Sequence, residues 1–199
     1  MTLSETNVNN DPFIMFHEWF TERSGSFNGE VNSFSLATAG KDMKVSVRTV
    51  LLKGYDKEGF VFYTNYNSRK GSQLEENRFA AMLFYWPELN RQIRIEGTVK
   101  KVPGKMSDDY FRSRPRGNQL SALASDQSQP VSDRSFLEKR FEFYQKKFEG
   151  RKITRPRHWG GFRLQPAWFE FWQAGENRLH DRISYTFSVN GWKIERLSP

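Results

Sequence analysis

The sequence predicts a mainly β chain, a small antiparallel barrel carrying added helices. Three observations lead there. About seven strand-like stretches recur, some with period-two alternation, bounded by turn residues. Most are joined by short connections. The plainest is Asn190-Gly191 inside "SYTFSVNGWKIERL", a two-residue turn that sets its strands antiparallel. Helical spacing intrudes at three places, and neither G-x-G-x-x-G nor G-x-x-x-x-G-K-[ST] occurs. A doubly wound sheet with a phosphate loop is thereby excluded.

The elements follow in order. "DPFIMFHEWFTERSG" (Asp11–Gly25) opens with an acidic cap and an early proline, and Phe13, Phe16, Trp19 and Phe20 share one face, so a helix is expected. "NSFSLATAG" reads as a strand. "KVSVRTVLLKGY" alternates Val45, Val47, Thr49 and Leu51 against Ser46, Arg48, Val50 and Leu52, so it reads as the next strand. "YDKEG" turns into "FVFYTNY". Ser68 caps a helix to Asn77. "AAMLFYW", the turn "PELN" and "RQIRIEGTVKKV" form a further strand pair. A helical insertion over about 107–150 comes next: the short "SDDYFRSRP", a basic loop, then Ser132–Gly150 with Phe136, Arg140, Phe141, Tyr144 and Phe148 recurring at three to four residues. "FRLQPAWFEFW" and the Asn-Gly hairpin close the chain.

The 199 residues suit one domain, expected over 11–199 behind a polar, frayed tail at 1–10. Lysine and arginine number 31 against 23 acids, so the net charge of +8 favours anionic partners. The absence of cysteine excludes disulfides, thiol nucleophiles and thiolate metal sites. The three histidines show no three-ligand metal spacing, and no nucleic-acid module or membrane-span-length apolar run is present. A soluble cytoplasmic protein is expected.

Four constellations carry possible chemistry. Arg48 and Lys53 lie five apart on one strand and point to opposite faces, either as a solvated strand with an edge lysine or as an anion ligand at a strand rim. Arg69 and Lys70 oppose the dipole of the helix that Ser68 caps, either as a pair of exposed basic residues or as an anion site, since an anion bound there would reverse the penalty. Arg112, Arg114 and Arg116 alternate with proline and glycine in a loop that offers planar anion-binding forks or, equally, a basic surface for nucleic acid. "NRLHDR", read as extended, puts Arg178, His180 and Arg182 on one side and Leu179 and Asp181 on the other. The plain alternative is a charged loop with an internal Asp–Arg pair.

Five stretches taken together, "RTVLLKGYDKEGFVFYTNYNSRKG", "RQIRIEGTV", "YFRSRPRGNQ", "FWQAGENRLHDR" and "WKIERLSP", closely resemble the pyridoxamine/pyridoxine 5′-phosphate oxidase family, in order from about Asp11 to Pro199. The resemblance implies an FMN-binding split barrel, a homodimer with FMN at its interface. It implies oxidation of pyridoxine or pyridoxamine 5′-phosphate to pyridoxal 5′-phosphate, with hydride passing to FMN and O2 reoxidising the flavin to give hydrogen peroxide. Carried over by position, it implies FMN contacts from Arg48, Thr49, Val50, Leu51, Leu52, Lys53, Tyr63, Thr64, Arg69, Lys70, Gln92, Gln127 and Ser128, with Trp172 and Arg182 crossing the dimer. The substrate would meet Lys53, Tyr110, Arg114 and Asn118 around its phosphate. Arg178, Leu179 and His180 would lie near its ring, Arg178 and His180 in the catalytic role. Asn118 stands where the family usually has Ser, Ser121 and Leu123 where Gly and Trp are usual, and Ala174 where Gly is common. These departures bear on the substrate more than on the cofactor. The other readings are a phenazine-type split-barrel oxidase and a non-catalytic binder of FMN, pyridoxal phosphate or RNA.

Overall fold

A computed structural model describes residues 3–26 and 30–199. Helix α1 (Pro12–Ser26) packs Met15, Phe16 and Trp19 into the concave side of one curled antiparallel sheet. The strands are β1 (Ser33–Ala39), β2 (Val45–Leu51), β3 (Gly54–Asp56), β4 (Gly59–Asn65), β5 (Phe79–Trp86), β6 (Arg91–Lys101), β7 (Trp159–Gln173), β8 (Asp181–Ser188) and β9 (Gly191–Arg196). Helix α2 (Arg69–Glu76) follows β4. Helices α3 (Gly104–Ser113), α4 (Arg116–Ala124) and α5 (Arg134–Lys147) fill the connection from β6 to β7.

The order β2-β1-β5-β6-β7-β4-β3 is continuous, and β8 with β9 leaves it at β7. The 15-residue β7 therefore forks. Residues 159–164 pair with β4, residues 168–173 pair with β8, and β6 runs along the other edge from Phe162 to Gln173. The fork has a local cause. Pro166 has no N–H for a ladder bond, and the β6–β7 register shifts beside it at Glu96/Gly97. A Cβ on Gly97 would stand 2.0 Å from the Gln165 carbonyl oxygen, so only glycine permits the crossing.

Phe60, Phe62, Phe84, Phe169, Phe171 and Tyr185 are fully buried around Phe16. The edge-on contacts Phe16–Phe60 (4.8 Å) and Phe16–Phe84 (5.2 Å) seat α1 in the sheet's hollow. A second, smaller core gathers Phe111, Leu120, Ile153 and Trp159 under the helical insertion.

Several elements differ from the sequence reading. Among the described residues, nine strands stand where about seven are expected. The segment 44–55 breaks at Leu52-Lys53 into β2 and β3, because the Lys53 N–H pairs with Val61 across the barrel's edge. The basic loop of "SRPRGNQLSALAS" contains α4, which starts directly after Pro115. "NRLHDR" is not extended from Asn177: Glu176–Arg178 form a 3-10 turn in which Asn177 and Arg178 are left-handed (φ 52° and 63°), and the strand begins only at Asp181. Alternation therefore does not gather Arg178, His180 and Arg182 on one face. Where the sequence reads a frayed tail, Leu3 and Val8 pack on the main core, the Leu3 N–H donates to Asp181 (3.0 Å) and Tyr185 Oη donates to the Asn9 carbonyl (2.7 Å). Among the described residues, no helix is long and apolar enough to cross a membrane.

Candidate active site

A cavity of about 450 Å³ opens between the β2–β4 edge and the helical insertion. Thr49, Val50, Leu51 and Lys53 form one wall, Tyr63, Thr64 and Asn65 of β4 the floor, and Lys70 the base of α2. Tyr110, Arg114, Asn118, Ser121, Ala122, Ser125 and Gln127 close it from the insertion, with Trp159 at the start of β7.

Its first notable group is Lys70. Ser68 caps α2 by accepting from the Gly71 N–H (3.3 Å), which directs the first turn of the helix at the cavity. Lys70 is 9 % exposed, and its ammonium donates to Thr64 Oγ1 (3.0 Å), Gln127 Oε1 (3.0 Å) and Ser68 Oγ (3.4 Å). All three acceptors are neutral. Burial, reinforced by the nearby Arg48 guanidinium, pulls the Lys70 pKa down to about 8. Arg48 donates to the Leu36 carbonyl (3.1 Å), Thr38 Oγ1 (2.6 Å) and Ser46 Oγ (2.5 Å), and both hydroxyls donate on to Gln73 Oε1 of α2. Arg48 thus fastens β1 and β2 to α2 and adds positive potential without lining the cavity.

A buried lysine with a lowered pKa gives a pH signature. Between about 8 and the ordinary 10.5, the unfolded chain holds a proton that the ligand-free fold does not, so this group adds stability as pH rises through that window. Anion binding runs the other way, because it needs the ammonium charged. We expect affinity for inorganic phosphate to fall above about pH 8, by up to tenfold per pH unit, in calorimetric titrations of the flavin-free protein. In Lys70→Ala that slope should vanish.

The second group is Arg114. Its Nη1 is buried without a hydrogen-bond partner, and burial pushes its pKa below the ordinary value. The guanidinium lies 4.5 Å from the Trp159 ring centroid. Trp159 stacks nearly parallel to Tyr63 (5.5 Å, 10°), and Tyr63 stacks on Tyr110 (3.9 Å, 17°). Gly161 makes room for this column, since a Cβ there would meet the Tyr63 ring at 2.8 Å. The cavity therefore presents two desolvated cations, neither facing a carboxylate, over an aromatic wall. Such a site suits a ligand or ligands with flat rings and phosphate groups.

The other sequence-derived residues lie elsewhere. Leu52 is buried in the main core, and neither Arg69 nor Ser128 (φ 74°) lines the cavity. Gln92, Trp172 and Arg182 stand side by side across β6, β7 and β8. His180 lies against Trp172 (ring centroids 4.7 Å apart), and its Nδ1 accepts from the Gly175 N–H (3.2 Å), so the neutral ring carries its proton on Nε2. Arg182 grips the fully buried Glu170 through two bonds (2.8 and 3.1 Å), and Arg94 holds the same carboxylate (2.9 Å). Arg178 and Leu179 occupy the exposed tip between β7 and β8. Trp172 and the Gly161 that faces Tyr63 are eleven residues apart on β7, ~35 Å along the strand. Asn65, Ala122, Ser125 and Trp159 line the cavity although no contact there is expected from sequence, and Ser121, expected near the substrate, lines it too. For Trp159 a signal existed: "HWGG" sets a large ring beside two glycines, which marks close packing.

Residues 20–147 match the model for pyridoxamine 5′-phosphate oxidase, and residues 159–199 match that for the pyridoxine 5′-phosphate oxidase C-terminal dimerisation region. The chain belongs to the pyridoxamine 5′-phosphate oxidase family. It is 49 % identical to a pyridoxine/pyridoxamine 5′-phosphate oxidase of Acaryochloris marina, over 99 % of this chain and 90 % of that one. It is 51 % identical to another from Cupriavidus metallidurans, over 99 % and 93 %. Among solved structures it is similar to PhzG from Burkholderia lata in complex with tetrahydrophenazine-1-carboxylic acid (TM-score 0.92, 30 % identity, 100 % and 98 % covered). The curled sheet with its five helices is the family's split barrel. The dimerisation match begins at Trp159, so it takes in all of β7 and the whole Gln92-facing group of β7 and β8.

Proposed function

We propose that this chain is an FMN-dependent oxidase that converts pyridoxine 5′-phosphate or pyridoxamine 5′-phosphate to pyridoxal 5′-phosphate. The observation that carries this reading is the pair of cations without a carboxylate partner, Lys70 and Arg114, in one aromatic-walled cavity. Two phosphorylated ring compounds in contact need two such sites. Lys70, with Thr64, Gln127 and the start of α2, fits the phosphate of FMN. Arg114, with Lys53, Tyr110 and Asn118, fits the phosphate of the substrate. FMN when bound would accept hydride from the substrate's C4′ and pass the electrons to O2, giving hydrogen peroxide. The chain's own part is to hold the rings in register, exclude water and place positive charge around them.

The assembly belongs to the same reading. Gln92, Trp172, Arg178, His180 and Arg182 gather around the far end of β7, and none of them lines the cavity of its own chain. A second copy, joined through the dimerisation region, supplies them, so that FMN sits at the interface. The sheet's outer side offers exposed Val45, Val47, Phe79 and Tyr85 for such a contact. A phenazine-type substrate is the second reading, favoured by the likeness to PhzG. The near 50 % identity to vitamin B6 oxidases and the partnerless Arg114 favour the first.

The test is an anaerobic titration of FMN-loaded protein with pyridoxine 5′-phosphate. Bleaching of the flavin, with colour and pyridoxal phosphate appearing on admission of air, is the expected result. A yellow protein that never bleaches would refute this substrate.

A further inference from the structure

The position of Arg114 raises a question that the proposed activity leaves open. A buried guanidinium ordinarily sits against a carboxylate, whose charge holds it in place. Arg114 has none, and its Nη1 makes no hydrogen bond. A carboxylate there would occupy the donors that a ligand's phosphate needs. Something else must hold the side chain, and the groups around it are aromatic: Trp159 at 4.5 Å and Phe111 at 5.7 Å.

Resting on the reading above, we propose that Trp159 is a positioning residue for phosphate recognition: its ring face holds Arg114 by cation–π attraction, leaving the guanidinium donors free for the substrate's phosphate. The geometry explains why a ring face suits the task. It attracts the cation without accepting a hydrogen bond at the donor edge, so no partner must be displaced when phosphate enters. The Trp159 ring is itself fixed. Phe111 meets it edge-on (5.3 Å, 67°), Tyr63 stacks on it, and its backbone carbonyl accepts from Arg155 (2.6 Å). Tyr63 is held in turn by Tyr110. The Arg114 cation is thereby pre-aimed by a rigid column rather than by a competing charge.

Trp159 also belongs to the small core under the insertion, so a merely structural role must be told apart. The experiment is a double-mutant cycle with Trp159→Leu, Arg114→Ala and the double variant, all FMN-loaded, assayed with pyridoxine 5′-phosphate. Trp159→Leu is expected to raise KM about tenfold with kcat changed less than about twofold, and Trp159→Phe to restore most of the loss. In the Arg114→Ala background, Trp159→Leu should add nothing. An equal KM effect in both backgrounds, or none in either, overturns the proposal. If Trp159→Leu does not fold, Trp159→Met replaces it in the same cycle. If wild type binds FMN but does not turn over, the activity reading fails by itself. The cycle is then read from calorimetric affinity for pyridoxine 5′-phosphate, where the same coupling or its absence decides.

Discussion

Arg114→Ala is expected to raise KM for pyridoxine 5′-phosphate by about 100-fold or more. Each hydrogen bond to a charged group contributes ~1.5–3 kcal/mol, and a guanidinium offers phosphate two at once. The same substitution should leave the ligand-free protein no less stable. Arg114 is a half-buried cation with an unsatisfied Nη1, and removing such a group relieves a desolvation cost rather than breaking a bond. A thermal melt and a steady-state assay on one preparation check both halves. Loss of affinity with an unchanged or higher Tm marks a residue kept for its ligand. A large fall in Tm with KM unmoved would assign Arg114 to the fold instead.

Arg178→Ala should act on turnover. We expect kcat to fall ~10²–10³-fold, the scale of losing one preorganised charged group at a reacting centre, while FMN remains bound. The reasons are local. Arg178 sits at an exposed tip in a left-handed conformation (φ 63°), which a non-glycine residue adopts at some cost, and it fills no core. Flavin absorbance after gel filtration reads cofactor retention, and stopped-flow flavin reduction reads the chemical step. An unchanged reduction rate would remove Arg178 from the catalytic role.

Much of this was legible along the chain, for identifiable reasons. β2 and the terminal hairpin declare themselves by alternation, and β4 by an apolar run that starts after the turn at Asp56–Gly59. The Lys70 side of the cavity was legible because strand, capping Ser68 and first helical turn are contiguous in sequence. α4 was not. Pro115 and Gly117 read as loop chemistry, and only Leu120 and Ala124 of that helix are buried, too short a stripe to show a period. The Arg114–Trp159 contact was invisible because its partners are 45 residues apart and come from different elements. The "NRLHDR" stretch misled because Asn177 and Arg178 enter the left-handed region, which breaks the alternation on which a shared face depended. The fork in β7 depends on Gly97 meeting Pro166 across two strands, a pairing that no local window contains.

In the proposed assembly two copies build one site, Arg114 from one and Arg178 from the other. Mixing tests this most directly. Arg114→Ala and Arg178→Ala proteins, each weakly active alone, are unfolded together, refolded with FMN and assayed. If each site draws on both chains, half of the statistically mixed dimers carry one wholly native site, and activity should return to about a quarter of wild type. If both residues of a site came from one chain, every site in the mixture would keep a defect. Activity would then stay at the level of the parents, and that result would contradict the account.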